Sequence, residues 1–199
     1  MRNLIEAAPA IRRGFIFSQY GTGDAFMAIT IYDATVAAFI QTTAAIGHLL
    51  KRGRAHCEES AIDLTGVLDS RVHPNMLPFR YQVQAVIGHT VGAVEGVKGG
   101  LFKPPSGTPT ADWDALEAAV AGALDTLKSY TPDDINALEE SDVVFNVGEH
   151  KLAFTGAGFL MTFSVPNMHF HATTAYDLLR AQGVPLGKGD YLGRIKLKT

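Results

Sequence analysis

Residues 166–191, PNMHFHATTAYDLLRAQGVPLGKGDY, place imidazole and amide groups on a helix face that is expected to be buried. At about 100° per residue, Leu160, Ser164, Asn167, His171, Thr174 and Leu178 fall on one stripe. Buried donors and acceptors are costly unless matched. Asn167 and His171 are therefore expected to meet each other, another helix, a water or a bound ion. This helix is expected from about Gly156 to Gln182, with Gly183 as its carboxyl cap and Pro185 as its stop. Pro166 removes one backbone donor and should kink it a turn before the polar row, which opens space for a ligand.

Upstream, three further long segments carry the helical period. Val36, Phe39, Ile40, Thr43, Ile46 and Leu50 mark a first helix over about 32–55, with Lys51, Arg52 and Arg54 at the end that the helix dipole favours for cations. A short helical turn follows near Ser60–Leu68, and Pro74 and Pro78 open a second helix through Phe79, Val83, Val86, Thr90, Val94 and Val97. Lys98–Pro109 reads as a loop from its glycines and prolines. Trp113, Leu116, Val120, Ala123 and Leu127 mark the third helix, and Thr131-Pro-Asp-Asp134 is a capping box that starts a short one. Between it and the last helix, Val143–Val147 and Lys151–Phe154 form a β-hairpin around a Gly148-Glu-His150 loop. The fold expected is all-α: an antiparallel four-helix bundle, with a small β-hairpin before the last helix that must lie against the bundle.

Composition narrows the function classes. The chain has 199 residues, 47% hydrophobic and 19% charged, with a formal net charge of −3, which suits one globular core. Mild acidity gives no electrostatic footprint for nucleic acid, and no run reaches the 18 or so apolar residues of a membrane span. The lone Cys57 excludes an internal disulfide, fits a cytoplasmic location and reads as an inert thiol near a helix end. Gly187-Lys-Gly-Asp190 lacks the length and the following helix of a phosphate loop and reads as a tight turn packing the tail. Residues 1–26 show no sustained period and read as a poorly ordered amino-terminal extension, leaving 27–199 as the folded domain.

Several segments carry a family likeness: Met27–Phe39 (MAITIYDATVAAF), Pro74-Asn-Met-Leu-Pro78, Gln82-Val-Gln84, Phe154-Thr-Gly156 and His171–Gly193 (HATTAYDLLRAQGVPLGKGDYLG). Together they resemble an uncharacterised family within the DinB and YfiT-like superfamily, a group associated with metal-dependent chemistry. The superfamily pattern has one ligand histidine in the second helix and two, four residues apart, in the fourth, with a leucine–arginine pair nine residues on. Ile87-Gly-His89 resembles the first element, and His171 with Leu179-Arg180 the second. Asn167 stands where the pattern has its other histidine.

The resemblance implies a divalent ion, zinc, nickel or manganese, held by His89, Asn167 and His171. An amide oxygen is a weak zinc donor, so the set favours harder ions or none. His169, about 200° round the helix from His171, is a second choice, as is His48 beside Ala44 and Ala45. The function implied is a metal-dependent thiol transferase or hydrolase acting on a small molecule. The alternative is a non-catalytic bundle that forms a homodimer or binds a small ligand, with Asn167 and His171 paired to set helix register. A chain beginning at Met27 is expected to keep the melting temperature within a few degrees; a larger fall would mean that residues 1–26 pack on the core.

Overall fold

A computed structural model describes residues 29–104, 110–147 and 150–198, so the expected extension at 1–26 lies outside the described residues. The chain is mostly helical, with one small three-stranded sheet. The amino-terminal periodic segment divides into α1, Ile31–Ala34, and α2, Val36–Glu59, rather than running as one helix. The interruption is Thr35, whose hydroxyl donates to the Ile31 carbonyl at 2.6 Å. A threonine that bonds back four residues offers the carbonyl an alternative partner and bends the helix.

After α3, Leu64–Asp69, the second periodic segment divides in the same way, into α4, Phe79–Gly88, and α5, Val91–Lys98. Thr90 stands at this break, its hydroxyl 2.8 Å from the Val86 carbonyl. The expected single helix thus ends at His89, which becomes its carboxyl cap. The loop reading of the next segment also needs correction. Leu101–Phe102 form a short strand, β1, entered through Gly100 at φ +71°, a left-handed conformation that glycine adopts without strain. Helices α6, Trp113–Ser129, and α7, Pro132–Asn136, follow, the latter opened by the expected Thr131/Asp134 capping box.

Strands β2, Asp142–Val147, and β3, His150–Thr155, form the expected hairpin, although His150 pairs with Val147 as part of the strand rather than standing in the loop. β1 joins its other edge in parallel, with Leu101 opposite Val144 and Phe102 opposite Phe145. The pairing fixes Phe102, which is fully buried and contributes about 1.5–3 kcal/mol relative to an exposed ring.

The last long helix comprises α8, Gly156–Gly158, a π-helical segment at Phe159–Ser164, and α9, Val165–Ala181. The kink expected from Pro166 takes the form of a widened turn. Proline lacks the N–H that would bond Thr162, and its ring crowds that carbonyl, so the winding loosens just upstream. Gly183, at φ +86°, ends the helix. Leu179 is fully buried and Arg180 donates to the Val184 carbonyl at 2.8 Å, so this pair serves packing and the helix end.

Helix α2 packs on α6 and α9, and α4 packs on α6 and α9. Phe79 stacks on Trp113 at 5.7 Å between α4 and α6. Cys57 is completely buried in α2, and burial pushes its thiol pKa up, as expected of an inert cysteine. The Gly187–Asp190 segment, expected as a tight turn with no helix after it, instead opens a short helix, α10, Lys188–Leu192, because the Gly187 N–H donates to Asp190 at 2.8 Å and so caps its first turn. Among the described residues, no helix is long and apolar enough to cross a membrane.

Gly156 sits where β3 turns into α8. A Cβ there would overlap the Leu138 carbonyl oxygen and lie 2.9 Å from Val97 Cγ1. Gly156→Ala is therefore expected to lower the unfolding free energy by at least ~1–3 kcal/mol, seen as a lower urea midpoint with an unchanged m-value. An unchanged midpoint would mean that the segment after α7 yields freely.

Candidate functional site

The polar row of α9 resolves into groups satisfied locally and one that reaches across. Asn167 Nδ2 donates to the Phe163 carbonyl at 2.7 Å, and Thr174 Oγ1 donates to the Phe170 carbonyl at 2.8 Å, each four residues back in its own helix. Ser164 is fully buried, and its hydroxyl has no partner among the described residues. His171 alone spans the helix interface, with Nδ1 2.7 Å from Gln82 Oε1 on α4. Of the partners left open for His171, it thus takes the one on another helix, an α4–α9 link, in place of the alternative pairing with Asn167. The most deeply buried row of α9 is Met168, Ala172, Ala175 and Leu179, so Asn167 and His171 stand half-buried on its flank.

The break in the second helix brings the other imidazole here. His89 is 5% exposed and stacks on His171, with centroids 5.6 Å apart and ring planes 13° from parallel. Phe102 and Phe163 flank His89 at 5.5 and 5.6 Å. On the His171 side, Tyr81 and Phe170 meet that ring edge-on at 6.0 and 5.2 Å. Phe102 and Phe163 belong to a larger aromatic cluster with Phe145, Phe154 and Phe159, which lines this end of the site with apolar rings.

Burial dominates the electrostatics. It pushes the His89 pKa down to about 4, with the neighbouring His171 adding to the effect, and burial alone pushes His171 to about 4. Both rings are neutral at physiological pH and carry lone pairs able to accept a proton or bind a metal. His89 Nδ1 is buried without a hydrogen-bond partner among the described residues.

The structure brings together His89 and His171 from the expected ligand set. Asn167 lies one turn before His171, with its amide nitrogen turned back on its own helix. The two second choices lie elsewhere, on the contacts of α10. His48 Nε2 is 2.7 Å from Asp190 Oδ1, and His169 Nδ1 is 3.1 Å from the Tyr191 hydroxyl. Among the described residues, no group of three or more His, Cys, Asp or Glu side chains could hold a metal. Gln82 had no assigned role from the sequence. The available signal was an amide on the buried stripe of α4, between Phe79 and Val86.

The low imidazole pKa values set a pH dependence. Between pH 6.5 and about 4 the unfolded histidines bind protons that the folded pair rejects, so stability falls as pH drops through that window and the loss levels off below it. Chelator-treated protein is expected to lose up to ~1.4 kcal/mol per pH unit from His89, and less from half-buried His171. Urea unfolding at several pH values would check this against a His89→Phe variant, whose slope should be shallower. Equal slopes would contradict the neutral-pair assignment.

Comparison with known proteins agrees with this architecture. A crystal structure of a DinB family member protein from Shewanella denitrificans is similar, with a TM-score of 0.72 and 27% identity over 85% of this chain and 95% of that one. No curated protein matches the chain. The family model described as a domain of unknown function, DUF1993, matches residues 31–192, which include His89, Gln82 and His171. The chain therefore belongs to the DUF1993 family, an uncharacterised group with a DinB-like structural relative.

Proposed function

We propose that His89 and His171 hold a divalent metal ion and that the protein is a metal-dependent thiol transferase or hydrolase acting on a small molecule. The observation that carries this reading is the pairing of two neutral imidazoles from different helices, buried His89 and half-buried His171, with ring centroids 5.6 Å apart and His89 Nδ1 without a partner among the described residues. Burying two rings of like potential charge side by side gains little for folding, whereas neutral imidazole is the form that ligates metals. Metal–imidazole bonds are about 2.0–2.1 Å and lie in the ring plane, so one ion would be shared once the two rings, now 13° from parallel, turn until their lone pairs converge.

The donor set fits an open site. Two neutral ligands leave positions for water, a thiol or substrate, with the Asn167 amide oxygen one turn from His171 as a further, weak donor. A bound ion would lower the pKa of a coordinated water or thiol and polarise a substrate carbonyl. The protein's own part is to pack Phe102 and Phe163 against His89 and to keep both rings neutral by burial. The packing of α2, α4, α6 and α9 on one another also supports reading the helical part as an antiparallel four-helix bundle, an architecture that builds such sites between facing helices.

Adding zinc, nickel or manganese to chelator-treated protein is expected to raise the melting temperature, by ~2.7 kcal/mol of stabilisation at a hundredfold excess over Kd. His171→Ala should abolish the rise. Asn167→His restores a third imidazole one turn before His171 and should tighten binding. If neither the native chain nor Asn167→His responds to any of the three metals, the metal reading fails and the non-catalytic module is favoured.

A further inference from the structure

Gln82 is 2% exposed on the face of α4 that meets α9, and both ends of its amide are engaged. Its Nε2 is 2.7 Å from the Leu77 carbonyl oxygen, and its Oε1 is 2.7 Å from His171 Nδ1. A carbonyl oxygen only accepts, so the amide nitrogen must face Leu77 and the amide oxygen must face His171. An amide oxygen also only accepts. The proton between Gln82 and His171 therefore sits on His171 Nδ1, and in the neutral ring Nε2 carries the lone pair.

We propose that Gln82 is a positioning residue: anchored by the Leu77 carbonyl, it holds His171 in the Nδ1–H tautomer and so makes Nε2 the metal-binding nitrogen. This rests on the two-imidazole reading above and adds to it which atom acts and what selects it. Metal-binding histidines generally donate their other ring N–H to an orienting acceptor, and loss of that acceptor typically weakens metal binding 10–100-fold. Leu77 lies just before Pro78, the residue that caps the amino end of α4. Proline has no N–H, so the start of this helix has one donor fewer to compete for nearby acceptors. The turn that begins the helix thus also anchors the amide that orients His171.

The test uses the full chain labelled with nitrogen-15 and freed of metal, with ring tautomers read from long-range proton–nitrogen correlations. In the native chain, His171 should show a protonated Nδ1 and an unprotonated Nε2. A proton on Nε2 overturns the proposal without any variant. Gln82→Met removes the acceptor at similar volume and should shift the tautomer toward Nε2–H, with zinc binding 10–100-fold weaker. Gln82→Glu keeps an acceptor and should retain the Nδ1 proton and recover much of the affinity. An unchanged tautomer in Gln82→Met overturns the proposal, and if that variant does not fold the native spectrum decides. Should the spectra agree but zinc bind none of the three proteins, the metal reading falls while the tautomer assignment stands.

Discussion

The contact between His171 and Gln82, 2.7 Å long across the α4–α9 interface, is the constraint on which the site depends. Both helices bury apolar side chains, Val83 and Val86 on α4 and Met168, Ala172 and Ala175 on α9. In such surroundings an unmatched imidazole donor would cost about 1–3 kcal/mol, so the two helices are held to the register in which the ring and the amide meet. With that register set, His171 stands beside the end of α4, where the Thr90 break has left His89. The π-helical segment before Pro166 brings Phe163 and the aromatic cluster against the same rings.

Much of the helical skeleton was legible from periodicity, because α2, α6 and α9 each carry a long apolar stripe at helical spacing. The interruptions were not. Thr35 and Thr90 each sit within an unbroken period, and what bends the chain there is a hydroxyl bonding back to a carbonyl four residues earlier. Side-chain type alone does not distinguish such a threonine from one pointing into a core. β1 escaped notice for another reason. Two residues between glycine-rich and proline-rich stretches have no period, and Leu101 and Phe102 become a strand only through pairing with Val144 and Phe145.

The site was half legible. The stripe through Asn167 and His171 correctly pointed to polar groups on an inward-facing flank, and the likeness around Ile87-Gly-His89 named the residue that stacks on His171. Of the partners left open for these two residues, His171 takes the one on another helix, while the amide of Asn167 reaches the Phe163 carbonyl in its own helix, a partner that needs no second element. The partner His171 does use is 89 residues away, and such a choice depends on helix register, which a single sequence does not reveal. His48 and His169 share residue type with the pair but face Asp190 and Tyr191, where they pin α10 to the helices beneath it.

These arrangements give the protein a pair of parallel imidazoles drawn from different helices, His89 buried and His171 half-buried beside it. The most direct test is elemental analysis of the protein expressed without a histidine tag and purified without chelator. The account expects close to one divalent transition-metal ion per chain, lost together with His171 in the His171→Ala variant. Metal-free native protein, or the same metal content in that variant, would contradict it.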